Sequence, residues 1–163
     1  MDAKQIKILA IIAAVIVLLL AIWCIYTQIY EHYAQDDPKL KDLKHKFEDF
    51  FSKERYWEAP LDELNKRNIM NEISLYRGDK SYTINKEKVY LCLKDTNGSY
   101  YNDNMLIYVL AHEISHVICD EIGHTEKFHQ IFEALLVKLT EEGIYNPSIP
   151  VQQNYCKEGD PEM

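Results

Sequence analysis

Residues 111–129 read "AHEISHVICDEIGHTEKFH". Four of the chain's six histidines fall here, and the first two frame a glutamate in the pattern H-E-x-x-H. The flanking segments, "MLIYVLA" (105–111) and "VIC" (117–119), are strongly apolar. On an α-helix, positions i and i+4 lie about 40° apart around the axis. His112 and His116 therefore project side by side and can share one ion. Glu113, one position on, reaches a water on that ion without being a ligand. Imidazole suits zinc, and a catalytic zinc keeps one position open for water. The metal brings the pKa of that water to about 7. Glu113 would then take its proton and pass it to a leaving amine, which is the mechanics of a metalloprotease. The rival reading is a polar helix that matches three fixed positions by chance. Buried histidine and glutamate in such apolar surroundings need partners, which argues for the metal.

The third ligand is open at this point. His124 follows His116 by eight residues and sits just past Gly123. A helix that ends near 120–122 and turns at Gly123 brings His124 back toward the metal. His129 and Glu133, on the next segment, are alternatives. Cys119, three residues after His116, would close the site as a thiolate ligand, although a small buried residue is the simpler reading. His32 and His45 precede the core and read as solvated.

Working outward, a long helix starts near Asp103 or Asn104, either of which can cap it, and runs to about Asp120. Thr125 can cap another, with Phe128, Ile131, Phe132, Leu135, Leu136 and Leu139 as its apolar face. Gly143 ends it. Upstream, "ISLYRG" (73–78), "SYTIN" (81–85) and "KVYLCLK" (88–94) are strand candidates, and Asn97-Gly98 marks a turn. Residues 38–56 read as an amphipathic helix with Pro38 in its first turn and Leu40, Leu43, Phe47, Phe50 and Phe51 at helical spacing. A further helix is expected from Leu61 to about Asn71. The expected fold class is α+β: an active-site helix with a short mixed sheet.

From Ile8 to Ile25 the sequence, "ILAIIAAVIVLLLAIWCI", has no charged residue. A helix of 18–20 residues spans about 30 Å, the thickness of a hydrocarbon core. Trp23, Tyr26 and Tyr30 lie at its distal end, where aromatics favour the interface. A cleaved signal peptide would have a shorter apolar region and a small-x-small site, which Ala21-Ile22-Trp23 does not supply. The run reads as an uncleaved single-pass anchor. Lys4 and Lys7 precede it, whereas Glu31, Asp36 and Asp37 follow, so the N-terminus is expected in the cytosol and the domain on the other side. The expected organisation is an anchor over 1–27, a connector over 28–37, a domain over 38–146 and an irregular tail over 147–163.

The formal net charge of −8 argues against nucleic-acid binding, which needs clustered Lys and Arg. The four cysteines show no C-x-x-C spacing. Cys92 and Cys156 can pair in an oxidising compartment, but the sequence does not fix their distance. Tyr145 and Tyr155, after the last helix, are candidates to steady an oxyanion.

The stretch "INKEKVYLCLKDTNGSYYNDNMLIYVLAHEISHVICDEIGHTEKFHQIFEALL" (84–136) and, more weakly, "NYC" (154–156) resemble the zinc metallopeptidase-like proteins of large DNA viruses. Those are similar in turn to the WLM and SprT-like minimal metalloproteases. The resemblance implies a small zincin-like fold, Zn²⁺ held by His112, His116 and His124, Glu113 as general base, and Phe128 as the aromatic behind the third ligand. Zinc proteases of this type place an edge strand beside the active-site helix, and 88–94 is the expected strand. The gap between His116 and His124 is longer than in WLM proteins. The acidic charge and the anchor also depart from proteases that act on DNA-bound proteins, so that substrate is not carried over. The expected function is membrane-anchored, zinc-dependent hydrolysis of a polypeptide substrate. The alternative is an inactive membrane-tethered structural or binding protein, such as a virion membrane component, that retains the fold.

Overall fold

A computed structural model describes residues 2–53 and 56–156. The chain divides into two units, 1–34 and 35–163. The first is helix α1, Ala3–Gln35, whose last residue falls in the second unit. Asp2 starts α1 with a reciprocal cap: its carboxylate accepts from the Gln5 backbone N–H (2.9 Å), and its own N–H donates to the Gln5 side chain (3.1 Å). From Ile8 to Ile25 the apolar side chains are exposed around the helix. Among the described residues, α1 is the helix long and apolar enough to cross a membrane. It continues through most of the expected connector, because residues 26–35 contain neither Gly nor Pro to stop it.

The second unit is α+β. Helix α2 (Pro38–Lys53) buries Leu40, Leu43, Phe47 and Phe50. Asp37 caps it, accepting from the Lys39 N–H at 2.9 Å. Residues 54 and 55, near the expected end of this helix, lie outside the described residues. The helix expected over 61–71 is instead two pieces, a 3₁₀ turn at Asp62–Asn65 and a short helix α3 at Ile69–Glu72. Asn68 is the reason: its side chain accepts from the Asn71 N–H and starts a new helix there.

Three short strands follow: β1 (Ser74–Arg77), β2 (Tyr82–Ile84) and β3 (Lys88–Leu91). Their order is β1-β3-β2. β1 pairs parallel with β3 (Tyr76 opposite Tyr90), and β2 pairs antiparallel with it (Tyr82 opposite Tyr90). The strand over 88–94 was expected at the edge beside the active-site helix; β3 is central and β2 holds that edge. A tight turn through Asn85, Lys86 and Glu87, between the paired residues Ile84 and Lys88, explains the pairing. Asn85 and Lys86 both have positive φ (51° and 58°), and the Glu87 N–H donates to the Ile84 carbonyl at 3.0 Å. This is the primed geometry that folds β2 tightly onto β3. Alternation puts Leu75, Val89 and Thr83 on the helix side and Tyr76, Tyr90 and Tyr82 on the other.

Helix α4 (Asp103–Ile118) packs on β3 and β2 and against helix α5 (Glu126–Glu141). Its cap is Asn102, one residue before those expected, accepting from the Met105 N–H at 2.8 Å. Leu106, Val109, Leu110, Ile114 and Val117 are completely buried. Thr125 caps α5 as expected, accepting from Phe128 N–H. Gly143, at φ +69°, ends the helix by letting the Ile144 N–H turn back to the Leu139 carbonyl at 2.9 Å.

The tail has no helix or strand in its described part, yet it is tied to the core. Cys156 forms a disulfide with Cys92, their Cα atoms 6.0 Å apart, and donates its backbone N–H to Tyr101 Oη at 2.8 Å. Tyr155 packs on Tyr101 with ring centroids 4.7 Å apart.

Candidate metal centre

Helix α4 is buried on most of its surface from Met105 to Ile118, so the buried polar groups on it must find partners inside the protein. His112 and Glu113 are buried, and His116 is half-buried. Past Ile118 the chain leaves the helix at Cys119, and Gly123, at φ +85°, reverses it. Only a residue free to take positive φ makes that turn without strain. His124 is thereby returned over α4. Its Nε2 lies 3.0 Å from His112 Nε2 and 3.2 Å from His116 Nε2. The three imidazoles converge on one point, each offering a ring nitrogen.

These spacings fit a metal. Two nitrogens about 2.0–2.1 Å from a tetrahedral ion are roughly 3.3 Å apart. Burial pushes His112 down to about 3, with repulsion from His116 and His124 adding to it. His116 is pushed down to about 4, again by burial first and then by His124. Both therefore remain neutral near pH 7, the form in which imidazole ligates. Phe128 of α5 backs the cluster: its ring lies 4.3 Å from that of His116, 4.8 Å from His124 and 4.9 Å from His112. It is completely buried, as expected of a side chain behind the third histidine.

Neither alternative third ligand joins the group. The His129 ring lies 6.3 Å from that of His124 and is exposed, and Glu133 is likewise outside the cluster. Cys119 is buried but is not part of the convergent set, so the site is not closed by a thiolate.

Glu113 shares a cleft of about 480 Å³ with His112, His116 and His124. Edge strand β2 forms one wall. Thr83 donates its hydroxyl to Glu113 Oε2 at 2.7 Å, fixing the carboxylate. Loop residues Glu121, Ile122 and Gly123 form the opposite rim. Lys86, from the β2–β3 turn, hydrogen-bonds the Cys119 carbonyl and so satisfies the C-terminal end of α4. Thr83 and Lys86 had not been singled out in the sequence. A signal for Thr83 existed, since alternation in "SYTIN" places it opposite in sense to Tyr82 and Ile84, as a polar residue facing inward.

The tyrosines considered for oxyanion binding stand elsewhere. Tyr155 gives its one O–H to the Cys92 carbonyl (2.5 Å), so Ser81 donates to its oxygen (2.9 Å). Burial raises its pKa. Tyr145 packs against Tyr108, ring centroids 6.0 Å apart. Neither lines the cleft.

Three viral proteins are similar to this chain. Uncharacterized protein 136R of Invertebrate iridescent virus 6 is 50% identical over 99 residues, covering 59% of this chain and 56% of that protein. Uncharacterized protein 042R of Invertebrate iridescent virus 3 is 42% identical over 99 residues, covering 60% and 62% respectively. Uncharacterized protein R325 of Acanthamoeba polyphaga mimivirus is 33% identical over 92 residues, covering 52% and 46%. The chain thus spans about half to three-fifths of the length of the relatives it matches. No family model and no solved structure matches it.

Proposed function

We propose that this protein is a membrane-anchored zinc metallopeptidase of the zincin-like class. The observation that carries the proposal is the convergence of three imidazoles, His112 buried, His116 half-buried and His124 exposed, beside a glutamate held in place by Thr83. An open three-histidine site leaves a fourth position for water, whereas a structural site is closed by four protein ligands. His112, His116 and His124 would hold the ion, which supplies a water acidified to near neutrality and polarises the scissile carbonyl. Glu113 accepts the water's proton and returns it to the departing amine. Thr83 keeps the carboxylate turned into the cleft while both transfers take place. The edge of β2 beside the cleft, which pairs with no further strand among the described residues, suits an extended polypeptide, which would add as a further strand through main-chain hydrogen bonds.

α1 would hold the domain at a membrane, with the lysine asymmetry placing it on the non-cytosolic side. The Cys92–Cys156 disulfide supports the same side, since disulfides persist in oxidising compartments. The test is metal analysis and peptide digestion with the full-length protein in detergent. The expected result is one zinc per chain and peptide cleavage that a chelator abolishes and zinc restores. One zinc per chain without cleavage of any member of an unbiased peptide library would favour a tethered binding protein instead.

A further inference from the structure

The outer face of the sheet carries a stack of three tyrosines. Tyr76, Tyr90 and Tyr82 are direct cross-strand neighbours. Their ring centroids are 4.9 and 4.7 Å apart and their planes tilt by only 18° and 14°. These spacings match the roughly 4.7–4.9 Å between neighbouring strands, so each strand contributes one rung. Lys88 closes the inner end, its ammonium 5.6 Å from the Tyr76 ring centre. At the other end, Tyr82 is 43% exposed. It sits on β2, and no strand pairs with the outer edge of β2 among the described residues. That same edge borders the cleft with His112, Glu113 and His124.

We infer that Tyr82 selects the substrate, by stacking on a flat side chain of a polypeptide strand added to β2. The inference rests on the peptidase reading for its substrate class. The geometry supplies the rest. A strand added at the usual spacing puts the side chain opposite Tyr82 about 4.8 Å from its ring, in the position of a fourth rung. An aromatic ring or a guanidinium gains more from stacking there than an aliphatic side chain does, and an acidic side chain gains least. Side chains alternate across the strand, so the residues on either side of the stacked one face Thr83 and the histidines. Selection and bond cleavage thus fall on neighbouring residues of the substrate.

The test compares the full-length, zinc-loaded protein with Tyr82→Leu and Tyr82→Phe on a randomised peptide library. Zinc content and circular dichroism establish that each variant is folded. The wild type is expected to prefer Phe, Tyr, Trp or Arg at one position next to the scissile bond. Tyr82→Phe should keep that preference, and Tyr82→Leu should reduce it by about two- to tenfold. The same library is screened for binding to zinc-loaded Glu113→Gln, with and without Tyr82→Leu. Binding selectivity for a flat side chain that disappears with Tyr82→Leu, in a protein that cleaves nothing, would uphold the stacking inference and reject the peptidase. A preference that survives Tyr82→Leu would overturn the inference. So would dimerisation through β2 that Tyr82→Leu abolishes, since the fourth rung would then belong to a second copy.

Discussion

At the scale of single residues, the proposed division of labour, Glu113 as base and the three histidines as ligands, makes distinct predictions. Glu113→Gln removes a base and leaves the ligands. It should keep zinc and fold while lowering turnover by about 10²–10⁴; loss of zinc in that variant would make Glu113 a ligand. His124→Ala removes a ligand and should weaken zinc binding by more than the ~10–100-fold typical of losing an outer hydrogen-bond partner. His129→Ala should leave zinc unchanged, which competition with a chromogenic chelator would measure. In the metal-free protein, His112 and His116 sit below the ordinary histidine range, at about 3 and 4. The unfolded chain therefore binds more protons than the folded one at mildly acidic pH. That contribution to stability is complete above about 6.5, the usual histidine value. It is lost progressively as pH falls from about 6.5 toward the values of the folded state. Urea melts of metal-free protein between pH 7.5 and 4.5 should show the decline, and His116→Gln should flatten it.

At the scale of elements, the site depends on β2 and on the turn after α4. Thr83→Val keeps the β-branched shape but deletes the hydroxyl that holds Glu113. A hydrogen bond to a charged group is worth about 1.5–3 kcal/mol. Turnover should therefore fall roughly tenfold to a hundredfold with zinc content unchanged. Gly123→Ala meets no obstacle in space but forces a side chain to φ +85°. It should cost about 1–2 kcal/mol in a denaturant melt and weaken zinc binding, because His124 follows directly. Much of this was legible in the sequence. His112, Glu113 and His116 are fixed by helical spacing, and Thr125 announces its own helix. Gly123 between an apolar helix and a histidine points to a reversal. The order of the strands was not legible. β2 and β3 both alternate, and edge and centre are decided by pairing between distant segments, which local pattern does not encode. The break at Asn68 was missed because the side-chain cap that makes it is a single hydrogen bond.

At the scale of the whole molecule, α1 and the disulfide carry the two claims about place. Ile8–Ile25 presents apolar side chains on every face, so the full chain should stay in the membrane pellet after alkaline carbonate. Recovery in the supernatant would rule out the anchor. The disulfide closes a loop of 64 residues and fastens Tyr155 and Cys156 beside β3. Cys156→Ser should lower stability by about 2–4 kcal/mol, measured on full-length protein by denaturant titration. Tail attachment was only partly visible in the sequence, since pairing of Cys92 with Cys156 depends on a distance that no local motif states. The functional reading depends most on the metal and its ligands. X-ray absorption at the zinc edge, on full-length zinc-loaded protein, measures these directly. The expected spectrum shows three imidazole nitrogens at about 2.0–2.1 Å with one further light atom and no sulfur. A sulfur shell near 2.3 Å, or failure of the chain to take up zinc, would contradict the open three-histidine centre.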